Sequence, residues 1–234
     1  MWTRKDLKNE AKTYFKMYYW PSVFTSIFLM LFGTLSFVST GTSGLTRGKN
    51  IIELISDPEF PEMLKAAMGG AIIFAVAAVL LSVFVVNVIS VGGAYFHLHC
   101  RKANDEGVSC IDTFWGFRGD HYGNIIKVMF LKKLFVFLWS LLLIIPGIIK
   151  NFQYAMVEYI LSENPNMDYK EAFRRSRDMM QGNKWKYFVL MLSFILWDIL
   201  NIFTFGLLGI FWIHPYKQHT YAAFYKAVSV NKVQ

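Results

Sequence analysis

The chain has 234 residues, of which 55% are hydrophobic, 18% aromatic and only 17% charged, and its mean hydropathy is +0.36. That composition excludes a disordered chain, which needs low hydrophobicity and high charge, and it argues against a soluble enzyme, because the apolar residues come in blocks long enough to cross a bilayer. The net charge of +8 lies beside those blocks, which points to anionic lipid rather than nucleic acid as its partner, and two cysteines are too few for a disulfide framework.

Residues Thr3 to Tyr18 read as an amphipathic helix. Thr3 can cap it, with Asp6 in the first turn. Leu7, Ala11, Tyr14, Phe15 and Tyr18 share one face, and Lys5, Lys8, Lys12 and Lys16 the other. Such a helix lies flat in the headgroup region; the alternative is a solvated helix packed on a partner. A first span follows from about Trp20 to Val38, read as a retained membrane helix rather than a cleaved signal. Residues 41–65 form a polar loop with Gly41, Gly44, Gly48 and Pro61. From Ala66 to Phe96 there are 31 residues without a charge, more than the roughly 20 that a span needs.

Residues 97–124 are polar again. Residues 125–149 are apolar but contain Lys127, Lys132 and Lys133, whose stems can snorkel, and then Pro146-Gly147. Residues 148–161 are apolar but interrupted by Lys150, Asn151, Gln153 and Glu158. This stretch is either one kinked helix or a hairpin turning at Pro146-Gly147. A second amphipathic helix falls within 162–186. Asp168 and Glu171 suit a variant capping box, Phe173 and Met180 lie on its apolar face, and Gly182 is its stop. Another apolar segment, 187–205, holds Asp198 and Asn201, and Gly206 and Gly209 precede a last helix running to about Val228.

Charge arranges these segments. If the chain turns both at Pro146-Gly147 and at Gly206–Gly209, the N-terminus, 97–133, 162–186 and the C-terminus all face the cytoplasm. That side then holds 20 of the 24 Lys and Arg residues, as the positive-inside rule asks. The expected fold is therefore all-α: a single polytopic membrane domain over 1–234. Its membrane helices fall over 20–40, 66–96, 125–145, 148–162, 186–205 and 207–228. Interfacial helices accompany these, the first of them within 1–19. Both termini are expected in the cytoplasm.

Several motifs then carry a resemblance. They are the opening Met1-Trp2-Thr3-Arg4-Lys5-Asp6-Leu7-Lys8, the run Ile145-Pro146-Gly147-Ile148-Ile149-Lys150, and Tyr154-Ala155-Met156. Further on come the segments from Glu171 to Met180, Gly182-Asn183-Lys184-Trp185, and Gly209 to Tyr216. Together they resemble a bacterial integral membrane family known as domain of unknown function nine-seven-five. The Pro-Gly hairpin and the arginine cluster are more loosely similar to the membrane domain of some glycerophosphodiester phosphodiesterases. The resemblance implies a multipass protein of the bacterial plasma membrane and no particular chemistry.

The sequence carries no familiar reaction-centre motif. There is no H-E-x-x-H helix and no phosphate-binding loop, and Gly41-Thr42-Ser43-Gly44 is not a G-x-S-x-G elbow. His97, His99, Cys100 and Cys110 have no common zinc spacing and read as a helix-end cluster. We expect no enzyme, metal or cofactor.

The unusual residues are polar ones inside apolar segments: Lys150, Glu158, Asp198 and His214. Asp198 and Lys150 fall at similar depth and are expected to be able to pair; Glu158 falls near His214 or Lys217. Arg174, Arg175 and Arg177 are candidate contacts to lipid phosphate. The expected function is contact with membrane lipids or with a protein partner of unknown identity, as an envelope-homeostasis factor or a subunit of a larger system. The alternative is a small transporter or channel using the four intramembrane polar residues.

Overall fold

The computed structural model describes residues 2–35, 69–74, 76–77, 80–102, 108–204 and 206–230, and all regular structure among them is helical. The expected loop over 41–65 and the edges of the first two expected spans lie outside the described residues.

Helix α1 (Arg4–Met17) begins at a reciprocal cap. The Thr3 hydroxyl accepts from the Asp6 amide at 3.2 Å, and the Asp6 carboxylate accepts from the Thr3 amide at 2.9 Å. Its apolar face, Leu7, Ala11 and Phe15, is buried. What covers that face is the chain's own last helix, α10 (His214–Val230), and the turn before it. Phe15 meets Trp212 edge-on at 5.2 Å and Trp2 meets Phe224 at 5.2 Å. Burial of that kind contributes roughly 1.5–3 kcal/mol per large side chain. The lysine face of α1 points outward, with Lys5, Lys12 and Lys16 exposed.

Helix α2 (Tyr19–Leu35) packs on α3 (Asn87–Lys102), which is entered through a π-helical turn at Ser82–Val86. Gly93 faces α2, where a Cβ would lie 3.0 Å from Leu29 Cδ1, and Gly92 faces the chain that follows α3. A Cβ on Gly92 would lie 2.7 Å from the Thr113 carbonyl carbon, in the short 3-10 helix Cys110–Phe117. Thr25 of α2 and Thr113 share a buried hydroxyl hydrogen bond of 2.9 Å.

Helix α4 (Tyr122–Leu142) and α5 (Ile144–Gln153) form a hairpin, so the single kinked helix is excluded. The reversal comes earlier than expected. Leu143 alone leaves the helical conformation, with φ −160° and ψ 141°. Pro146 sits in the first turn of α5, where its missing N–H costs nothing. Gly147 serves closeness rather than turning: a Cβ there would fall 2.7 Å from Ser140 Cα.

Helix α6 (Val157–Glu163) leads to α7 (Tyr169–Met180), capped by Asp168, which accepts from the Lys170 amide at 3.2 Å. The expected partner in that cap, Glu171, instead binds Arg174 and Arg175. Gly182 follows the helix at φ +77°, a left-handed turn that glycine adopts without strain.

The apolar segment from 187 follows one helical path to Phe203, in which α8 (Lys184–Leu192) passes into α9 (Ile195–Phe203) through a single tighter turn at Ser193-Phe194, both residues keeping right-handed helical dihedrals. A second reversal follows, with Gly206 at φ +85°. The Asn201 side-chain oxygen Oδ1 accepts from the Gly209 amide at 2.6 Å and ties the turn. The chain returns through a π-helical turn, Gly209–Ile213, into α10.

The core gathers around α3, α6 and α10. The two hairpin tips stay outside it. Leu141, Leu142, Ile202 and Phe203 are each 74–77% exposed. By length and composition, Ser82–Lys102 and Lys184–Phe203 are long and apolar enough to cross a membrane.

Candidate functional site

Glu158 is the centre of the polar interior. It lies in the first turn of α6, and its carboxylate accepts from the Lys132 ammonium of α4 at 2.9 Å. Lys132 is buried because it continues the inward face of α4, Ile125, Val128 and Met129, at helical spacing. It therefore does not snorkel to the surface, as the sequence suggested.

Two cavities meet at this carboxylate. One, of about 290 Å³, is lined by Ser26, Ser90, Glu158, His214 and Gln218 among others. The other, of about 230 Å³, is lined by Lys132, Asn151, Glu158, Tyr187, Gln218 and Tyr221 among others. Glu158, Tyr159 and Gln218 border both. Each has room for several water molecules, at about 30 Å³ per water. The arrangement is a carboxylate hydrogen-bonded to Lys132, with the Lys133 ammonium also in electrostatic reach, beside neutral hydrogen-bonding groups, and it suits small polar species better than a bulky ligand.

The sequence placed Glu158 near His214, and both line one cavity. It missed Lys132 and Gln218. The signal for Lys132 was present in the spacing of α4; Gln218 lies on a helix whose two faces are both polar in places, and spacing does not single it out.

Asp198 does not pair with Lys150. Both its carboxylate oxygens bind the Lys217 ammonium at 2.7 Å, across the α9–α10 hairpin. Lys150 lies over the Trp139 ring at 4.8 Å, across the α4–α5 hairpin. Each residue has found a partner within its own hairpin.

A third cluster lies where α1, α2, α3 and α10 meet. His219 Nε2 is 2.8 Å from the buried Ser22 hydroxyl, and its ring packs edge-on to His97 at 4.5 Å. The Arg101 guanidinium donates to the His219 carbonyl at 2.8 Å and binds the Glu10 carboxylate. His97 has no hydrogen-bond partner for either ring nitrogen among the described residues. The zinc-ligand types that stand close in sequence point to different neighbours. His99 faces Asp112 at 3.4 Å, and Cys100 is buried with Tyr18, Phe96 and Val108.

On the outer face of α7, Arg174 and Arg175 are held by Glu171 at 2.7–2.9 Å, and Arg177 is exposed. Those hydrogen bonds hold the Glu171 carboxyl below its ordinary range. In the same way the Thr3 hydroxyl and amide hold the Asp6 carboxyl low.

Among the described residues these features define a helical protein with two apolar hairpins and a polar interior. Residues 141–232, which include both hairpin turns and Glu158, match the family described as protein of unknown function (DUF975), the family whose motifs the sequence resembles. No curated protein and no solved structure matches the chain.

Proposed function

We propose that the chain is a polytopic protein of the bacterial plasma membrane, with six apolar helical segments entering the bilayer and both termini in the cytoplasm. It acts through contacts with lipids or a protein partner, as an envelope-homeostasis factor or the membrane subunit of a larger system. The observation that carries this is the pair of hairpin tips. Runs of large apolar side chains, 137–143 and 195–203, stand exposed and uncharged except for Asp198. A patch of that kind is foreign to a water-soluble surface and suited to acyl chains. The exposed guanidiniums of α7 and lysines of α1 suit anionic headgroups.

The test is extraction in native lipid particles, followed by mass spectrometry of what accompanies the chain. A stoichiometric protein partner supports the subunit reading, and a retained specific lipid the lipid reading. Release of the chain by carbonate washing overturns both.

The paired cavities favour a second reading, a small transporter or channel. In it Glu158 with His214 lines the route, while Lys150 and Asp198 are structural. A Glu158→Gln protein that folds and keeps full ion flux in liposomes overturns this reading.

A further inference from the structure

We infer that the two C-terminal hairpins are re-entrant: each enters and leaves the basic-facing leaflet and stops near the bilayer midplane, so that neither crosses. This rests on the membrane reading above and fixes which lipid surface the exposed tips meet.

The argument begins from charges that have to stay in water or headgroups. Helix α1 carries exposed Arg4, Lys5, Lys12 and Lys16. It lies along α10 from Phe224 (touching Trp2) to Trp212 (touching Phe15), with the Tyr216 hydroxyl reaching the Lys8 carbonyl at 3.4 Å. That stretch of α10 is therefore at the aqueous level on at least one side.

Helix α8 occupies the same level. Tyr187 meets Phe224 at 5.1 Å, Phe194 meets Tyr216 at 5.6 Å, and Lys186 lies over Trp2 at 5.3 Å. So the apolar window Lys184–Phe203 does not plunge as a whole. Its first half runs beside α1, so only α9, which follows Phe194, extends past that level. The nine residues of α9 reach about 14 Å at 1.5 Å per residue.

The other hairpin gives a similar depth. Its level is marked by α7, whose Arg174, Arg175 and Arg177 are exposed. Phe173 of α7 packs on Phe135 at 5.9 Å and on Tyr154 at 4.8 Å, and the Ser176 hydroxyl donates to the Gln153 carbonyl at 2.8 Å. Beyond those contacts, 136–142 descends about 10 Å and α5 climbs back over about 15 Å.

A hydrocarbon core is about 30 Å thick. For either tip to reach the far side, α1 or α7 would have to sink into acyl chains with its charges. The tryptophans fit the shallow placement. Trp20 at the start of α2 and Trp212 at the base of the second hairpin are half-exposed at the level where α1 ends. Four half-helices then displace lipid in one leaflet only, which makes the molecule wider there than in the other. The charge count does not distinguish this topology from six full spans, because a re-entrant hairpin and a crossing hairpin return to the same face.

The experiment uses the full chain with Cys110→Ser; the remaining Cys100 is buried. Leu142→Cys and Phe203→Cys report the tips, and Arg177→Cys marks the basic face. Each is treated, in sealed vesicles of either orientation, with a charged maleimide and with a lipid-soluble one. We expect both tips to react with the lipid-soluble reagent and with the charged reagent from neither side. Charged labelling from the face opposite Arg177 overturns the inference and leaves the membrane reading standing. Charged labelling of the tips from the Arg177 face, or carbonate release of the chain, overturns both. The unaltered chain gives a second measurement in lipids carrying photoreactive groups. Crosslinks at 137–143 and 195–203 from acyl-terminal probes are expected, and crosslinks there from headgroup probes overturn the inference.

Discussion

The N-terminal helix pair and the C-terminal hairpins are both apolar and both glycine-assisted, yet they run different lengths beyond the side chains that hold them. From Ser22, held to His219, α2 continues about 20 Å to Leu35. From His97, α3 and the turn before it extend back about 22 Å to Ser82, and residues 69–74 are helical as well. The hairpins have about 10–15 Å beyond their charged neighbours. The long pair buries polar side chains where it meets the rest of the molecule, Thr25 against Thr113 and Ser22 against His219. The short hairpins instead satisfy theirs within or beside the hairpin, Asp198 against Lys217, Lys150 over Trp139 and Glu158 against Lys132. How far a helix runs free of the rest of the molecule thus follows from what is packed beside it as well as from its apolar length.

The strongest way to break this contrast is to wedge one region apart and leave the other. Gly92→Ala places a methyl against the Thr113 backbone, and Gly147→Ala places one against the Ser140 backbone. Each should cost about 1–3 kcal/mol or more, since neither contact is with a flexible side-chain end. Thermal unfolding in lipid particles should show both losses. Only Gly147→Ala should open the Leu142 tip to charged reagent. Gly209→Ala meets only the Asn201 side chain and should cost less.

Next come the ion pairs at the hairpin bases. Lys132→Met leaves the Glu158 carboxylate without its hydrogen-bonded cation. Lys132 is only 11% exposed and Glu158 33%, so the loss should be about 1–3 kcal/mol, and removing both charges together should recover part of it. Asp198→Asn should cost about 1 kcal/mol or less, because Asp198 is 45% exposed. If Asp198→Asn proves the costlier of the two, the second hairpin sits deeper than inferred. A double-mutant cycle measured by thermal unfolding distinguishes these outcomes.

Smaller effects belong to the outer helices that set the level. Thr3→Ala removes the cap of α1 and should cost about 1 kcal/mol of stability. The pH dependence has a defined sign. Asp6 and Glu171 are held below the ordinary carboxylate range in the folded chain. Their contribution is complete above the unfolded-state value, near pH 4, and is lost as pH falls through the lowered values. Unfolding midpoints measured from pH 6 downward should therefore be flat and then fall below about pH 4. Thr3→Ala should remove the Asp6 share of that fall.

What the sequence settled by itself is local. The cap at Thr3, the buried face of α1, the stop at Gly182 and the two reversals were legible because caps, helical periodicity and glycine or proline breaks act within a few residues. Even there the first reversal fell at Leu143, since proline is at home inside the first turn of the helix that follows it. The pairing of Glu158 with Lys132 and of Asp198 with Lys217 was decided by tertiary structure alone. Sequence gave Lys150 and Asp198 a common depth, but depth does not fix which helix faces which, and each found its partner across its own hairpin. The same holds for α1. Its apolar stripe was evident, but only the fold shows that α10 and the turn before it cover that stripe, because periodicity marks a buried face without saying which helix meets it.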